Sequence, residues 1–226
     1  MSAEKISPRQ EPRTPAFPQP PLFVITDDAL GNEQLRERVE AACEAGCRAV
    51  QLRQRQLPGG PLLELALELR TVTRRAGTLL LVNDRLDLAL AAGADGAHLP
   101  SSSFDARDAR RLLGEHAMLG LSIHSVEEAR LAAEQGVVDY LQFGPVYATG
   151  SKKKYGPPQG IEALERVVES AGAVKVIAVG GIVSARVESV MATGCAGVSV
   201  IGAVMSAPDP GLETTRLLDA LSTCSS

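Results

Sequence analysis

The chain has 226 residues, of which 45% are hydrophobic and 3% aromatic, with no tryptophan and a formal net charge of -4. That length suits one domain with a sizeable aliphatic core. The acidic balance argues against a general nucleic-acid or anionic-membrane surface but leaves room for a local basic pocket. No apolar run is long enough to span a bilayer. Cys43, Cys47, Cys195 and Cys224 show neither metal-type spacing nor a CxxC, so they read as incidental thiols of a reducing, cytoplasmic compartment.

The first stretch, 1–21, is polar, charged and proline-rich, without the apolar centre of a secretory signal, and reads as a disordered arm ahead of a domain over 22–226. From Leu22 onward one pattern repeats. Short apolar strands are expected at 22–25, 49–52, 79–82, 96–99, 118–123, 140–143, 174–179 and 198–201. Helical spacing follows them at 32–45, 61–76, 85–92, 105–113, 126–135, 161–170, 185–192 and 212–221. Asn32 stands where a cap for the first helix belongs, and Pro61 falls in the first turn of the second. The sixth strand is followed by a long irregular loop over 144–160. Strand–helix alternation repeated about eight times is the pattern of an α/β chain closed into a single (β/α)8 TIM barrel, with a doubly wound open sheet as the alternative.

In such a barrel the residues just after each strand share one mouth. They include Arg53 and Arg55, which alternation puts on one side of the second strand; Asn83 and Asp84; Ser101, Ser102 and Ser103; Ser122 and His124. Thr149 to Lys154, then Gly180 and Gly181, then Ile201 and Gly202 complete the set. Two late strands that break into glycine suggest a phosphate grip, because glycine lets peptide N–H groups approach an anion. A mouth rich in arginine, lysine and glycine on an acidic chain reads as a site for phosphorylated small molecules. Each residue also has a structural reading: arginines pairing with helix carboxylates, Asn83 and Asp84 capping the third helix, and the serines capping the fourth. Of the three histidines, His116 belongs to the opposite end and His98 reads as a satisfied core residue. His124 ends a strand at the mouth, beside Ser122 and Ser125, where a proton carrier would serve.

Taken in order, QLRQR at Gln51, VNDRLDLAL at Val82, GAHLPSSSF at Gly96, GLSIHSVEEA at Gly120, FGPVYATGSKKK at Phe143, VIAVGGI at Val176 and GVSVIGAV at Gly197 make the chain resemble the thiamine phosphate synthase / thiazole tautomerase family from Leu22 onward. The resemblance implies a thiamine-biosynthesis enzyme acting on a thiazole phosphate, a small-molecule partner with neither nucleic acid nor membrane, and a homodimer. It implies that Gly181, Ile201 and Gly202 hold the phosphate, and that Thr149, Ser151 and Lys152 belong to the loop contacting the thiazole.

The family has two activities. The synthase joins a pyrimidine pyrophosphate to the thiazole phosphate with Mg²⁺ on the leaving pyrophosphate. Its pattern puts metal carboxylates at Asp84 and at the position of Ser103, and an acid followed by lysine where this chain has Gln54 and Arg55. The tautomerase is an isomerase that aromatises a carboxythiazole phosphate by a proton shift and uses no metal. In that reading His124 shuttles the proton, and Arg53 and Arg55 bind the carboxylate. The serine at Ser103, the arginine at Arg55 and the stretch around His124 favour the tautomerase, with the Mg²⁺-dependent synthase, a transferase, as the alternative. A non-catalytic thiazole or thiamine phosphate-binding regulatory protein is the further alternative.

Overall fold

The computed structural model describes residues 16–149 and 157–224. Eight strands, β1 (Leu22–Ile25), β2 (Ala49–Leu52), β3 (Leu79–Asn83), β4 (Gly96–Leu99), β5 (Met118–Ile123), β6 (Tyr140–Phe143), β7 (Lys175–Val179) and β8 (Gly197–Val200), pair in chain order and in parallel. β8 returns to β1 through Leu22 against Val198 and Val24 against Val200, so the sheet is a closed (β/α)8 barrel, as the alternation predicts, and not an open sheet. Around it lie α1 (Asn32–Glu44), α2 (Gly59–Ala76), α3 (Leu86–Ala91), α4 (Ala106–Leu113), α5 (Val126–Gln135), α6 (Ile161–Ala171), α7 (Val187–Met191), α8 (Gly202–Met205) and α9 (Pro210–Cys224).

Closure explains why the strands are apolar throughout, since one face meets the helices and the other the barrel interior. Phe23, Ala49, Leu81, Met118, Tyr140 and Ile177 form a separate interior cluster. The rings of Phe23 and Tyr140 lie 5.1 Å apart. Packing there is tight enough to require glycine: a Cβ at Gly120 would lie 2.1 Å from Tyr140 Cζ, and one at Gly96 would lie 1.9 Å from the Met118 carbonyl oxygen. Further along the strands, on the same face, the interior gains polar residues, Gln51, Asn83, His98, Ser122, Gln142 and Ser199, beside the apolar Ile25 and Val179. The apolar floor and the polar layer above it set which end of the barrel can do chemistry.

Several local expectations are corrected. Residues 16–21 belong to the fold and not to a disordered arm: the Phe17 ring sits 5.9 Å from Phe23, and the Pro21 carbonyl accepts from the Val198 N–H. Residues 1–15 lie outside the described residues. Asn32 is the first residue of α1, and the cap position is Gly31, which makes no side-chain cap bond. The seventh helix is split into a 3-10 turn, Ser184–Arg186, and α7. The four-residue α8 was not legible, since GAV has no helix period of its own. Cys43, Cys47 and Cys195 are buried and Cys224 is exposed; burial pushes the Cys47 thiol up to about 12. No helix among the described residues is long and apolar enough to cross a membrane.

Gly120→Ala is expected to destabilise the fold by about 1–3 kcal/mol, because the added methyl overlaps a ring that cannot leave the packed floor. The denaturation midpoint measures it, and an unchanged midpoint would contradict the packing described.

Candidate active site

The mouth contains two adjoining cavities that share Ile201. The first, of about 260 Å³, is lined by Arg53, Arg55, Asn83, Asp84, Ser122 and His124 among others. The second, of about 240 Å³, is lined by Thr149, Gly180, Gly181, Ile201, Gly202 and Arg186 among others. Of the expected mouth residues that are described, all but Ser103 line one of the two. Ser151 and Lys152 lie outside the described residues.

Arg53 and Arg55 follow β2 and converge on Asp28, in the loop after β1. Arg53 Nη1 lies 3.2 Å from Asp28 Oδ2, and Arg55 Nε and its backbone N–H donate to the same carboxylate at 2.7 and 2.9 Å. The arginines do pair with a carboxylate, but one at the mouth rather than on a helix. Arg53 is anchored further by its N–H to Thr26 Oγ1, at 2.8 Å, with Thr26 itself fully buried. Asp28 has no motif to betray it. Gln51 does: it shares the inward alternation of Arg53 and Arg55 within QLRQR. Gln51 Nε2 donates to Asn83 Oδ1 at 3.1 Å, which is where the Asn83 side chain is used, and Gln51 Oε1 is a buried acceptor with no partner. A buried orphan acceptor costs stability unless a ligand donates to it.

Asp84 has a left-handed backbone, φ +66, and is the only non-glycine residue at positive φ among the described residues. Its N–H donates to the His98 carbonyl at 2.9 Å, so the bend is held across to β4 and turns the carboxylate into the cavity. The Ser103 hydroxyl donates to Asp84 Oδ1. Neither Asp84 nor the serines act as helix caps: α4 is capped by Asp105, whose side chain accepts from the Arg107 N–H, and the residue before α3 is Arg85, with no side-chain cap. Among the described residues no group of three or more His, Cys, Asp or Glu side chains could hold a metal.

The two histidines divide differently from the expected company of His124 with Ser122 and Ser125. Ser125 caps α5, its Oγ accepting from the Glu128 N–H at 3.1 Å, and the Glu128 carboxylate accepts from the backbone N–H of His124. That fixes His124 at the end of β5. Its Nδ1 lies 2.8 Å from the Gly144 carbonyl, which can only accept, so Nδ1 carries the proton and Nε2 is the basic nitrogen of the neutral ring. Ser122 pairs with the buried His98 instead: His98 Nε2 is 2.8 Å from Ser122 Oγ and Nδ1 is 3.0 Å from the Tyr140 hydroxyl. Burial pushes the Tyr140 phenol up, so it keeps its proton, and the chain Tyr140–His98–Ser122 fixes the Ser122 oxygen beside the cavity that Ser122 lines. His98 is the satisfied core residue expected of it, and it also orients a mouth hydroxyl.

In the second cavity Gly180 and Gly181 have φ +106 and +63, and a Cβ at either would lie 2.6 Å from the chain of the loop after β6. The glycines are thus required by turn and loop packing as well as by any anion. The N–H groups that open α8 have no carbonyl one turn back to bond.

The sequence over 22–204 matches the family model described as thiamine monophosphate synthase. A putative thiamine-phosphate synthase of Geobacter sulfurreducens is 45% identical over 201 residues, covering 88% of this chain and 93% of that protein. A thiamine biosynthesis bifunctional protein of Symbiobacterium thermophilum is 44% identical over 198 residues; the match covers 88% of this chain but spans 40% of that longer protein. The structure of thiamine phosphate pyrophosphorylase from Pyrococcus furiosus superposes with a TM-score of 0.81 at 36% identity, covering 91% of this chain and 96% of that one.

Replacing both Arg53 and Arg55 with glutamine is expected to weaken inorganic pyrophosphate binding at least about tenfold, the scale of charged hydrogen bonds lost. Calorimetric titration reads it, and an unchanged affinity would remove the arginines from the anion site.

Proposed function

Since the chain belongs to the thiamine monophosphate synthase family, we propose that it is a transferase that couples a pyrimidine pyrophosphate to a thiazole phosphate. The supporting observation is the pair of cavities meeting at Ile201, one with a buried unpartnered acceptor, Gln51 Oε1. An aminopyrimidine brings the N–H donor that this acceptor lacks. A carboxythiazole phosphate occupying the site alone leaves it unsatisfied. The names of the relatives back the same reading, and none of those described above is a tautomerase.

In the coupling, the bond from the pyrimidine methylene carbon to the pyrophosphate oxygen breaks with its electrons on oxygen. The thiazole nitrogen lone pair forms the new C–N bond, and no proton is transferred. Arg53, Arg55 and the Ser122 hydroxyl are suited to receive the charge that develops on the departing oxygen, while the glycine turns hold the other substrate by its phosphate. Arg53 and Arg55 against Asp28 and Asp84 are formally neutral, so these side chains alone do not balance a pyrophosphate.

Magnesium, when bound, supplies the missing positive charge. Asp84, with the Ser103 hydroxyl beside it, would hold it. A single carboxylate fits this ion, which takes one or two carboxylates together with substrate phosphates and keeps several waters. The tautomerase reading keeps one observation in its favour, the hydroxyl of Ser103 where a second carboxylate belongs to the synthase pattern.

The test is an assay of the purified protein with both substrate sets. The expected result is thiamine phosphate and pyrophosphate released one to one, abolished by chelation and restored by Mg²⁺. Proton shift in the carboxythiazole phosphate without any coupling would overturn the reading in favour of the isomerase, and tight binding without turnover in favour of a regulatory protein. His124→Asn provides a second test. Because the coupling moves no proton, turnover is expected to fall less than about tenfold, against the roughly 10² to 10⁴ typical of a lost acid–base.

A further inference from the structure

Arg186 is the charged side chain lining the second cavity, and nothing in the family pattern noted above gives it a role. It is exposed, yet it is held from several directions. Nη1 donates to the Gly181 carbonyl at 2.5 Å. The guanidinium carbon lies 4.4 Å from the centre of the Tyr147 ring. Tyr147 is itself fixed: its N–H donates to the Gly180 carbonyl at 3.0 Å, and its hydroxyl lies 3.0 Å from Ser189 Oγ, which donates to the Arg186 carbonyl at 3.0 Å. The circuit from Arg186 through Ser189 and Tyr147 back to Arg186 is closed.

Among the described residues this arginine pairs with no carboxylate, although every ion pair there has an arginine as its cation. A surface arginine ordinarily gains little from such restraint, because fixing its long side chain costs rotamer entropy. Restraint is useful where a planar fork must be ready for an anion, since less freedom is then lost on binding. The guanidinium has five N–H donors, of which one is committed to Gly181. That bond also covers a carbonyl oxygen that would otherwise present partial negative charge to an anion. Among the described residues no carboxylate lines this cavity.

We propose that Arg186 is a phosphate-binding side chain of the second cavity, adding a preorganised positive charge to the peptide N–H groups of its glycine turns. The ligand class is a phosphate monoester on a small ring, and the assignment rests on the proposed coupling only for which ring that is.

The experiment compares thiazole phosphate with the unphosphorylated thiazole alcohol, by calorimetric titration of the wild-type protein, Arg186→Met and Arg186→Lys. Methionine keeps an apolar stem over Tyr147 without charge. The expected result is about 5- to 50-fold weaker binding of the phosphate by Arg186→Met, with the alcohol unchanged and lysine restoring part of the loss. Equal phosphate affinity in the methionine variant and the wild type would overturn the proposal. Equal losses for phosphate and alcohol would also overturn it, by making Arg186 a strut for the loop. Tyr147→Leu separates the parts further: it should weaken the phosphate less than Arg186→Met does, and an effect as large or larger would assign the loss to the ring. If the protein fails to make thiamine phosphate while Arg186→Met still loses phosphate affinity selectively, the reaction is wrong and the site stands. If coupling proceeds and the methionine variant binds phosphate normally, the site alone falls.

Discussion

The interior of a closed eight-stranded barrel has room for side chains and little else, and the structure depends on how that room is filled. Tyr140 takes the centre of the floor at the expense of Gly120, and Phe23 packs against it with Phe17 beneath. Because strand residues alternate, the next inward positions fall one layer higher, and there the chain changes from aliphatic and aromatic to Gln51, Asn83, His98, Ser122, Gln142 and Ser199. The floor also reaches into the chemistry directly. The Tyr140 hydroxyl bonds one ring nitrogen of His98, and the other bonds the Ser122 hydroxyl. A residue chosen to pack the barrel thus helps to hold a mouth hydroxyl in place.

The polar layer is held by pairs that span neighbouring or nearby strands, such as Gln51 with Asn83 and Gln142 with Ser199, at 3.1 and 2.6 Å. One acceptor, Gln51 Oε1, is left over. That buried open acceptor is a more specific pointer to a ligand than the cations around the rim, whose charges are balanced by Asp28 and Asp84. The balance also separates the two cavities: one needs an added cation to hold a pyrophosphate, whereas the other has an arginine of its own.

The barrel was legible because apolar strands and periodic helices alternate through the chain, and because each strand end was marked by polar or glycine residues. Arg53, Arg55, Asn83, Asp84, Ser122, His124 and the glycine turns follow from that periodicity alone, since strand ends share a mouth. What was not legible depends on long-range pairing. Asp28 looks like an ordinary loop carboxylate until two arginines of the next strand meet on it. Ser122 stands two residues from His124, yet it bonds a histidine on a different strand. Gly180 and Gly181 read as an anion turn, and the packing of Pro145 and Ala148 against them became visible only in three dimensions. In sequence alone, Ser103 at the place of a metal carboxylate favours an isomerase. In the fold Ser103 stays beside Asp84 as a hydroxyl partner, and one carboxylate is within the ordinary habit of magnesium.

The proposed coupling requires the two cavities to hold two different substrates at once. The most direct measurement is a crystal structure with thiazole phosphate, inorganic pyrophosphate and Mg²⁺ all present. The predicted result is pyrophosphate and metal beside Arg53, Arg55 and Asp84, with the thiazole phosphate at Gly181, Gly202 and Arg186. A thiazole phosphate lying across both cavities, with pyrophosphate and metal excluded from the arginine side, would contradict it.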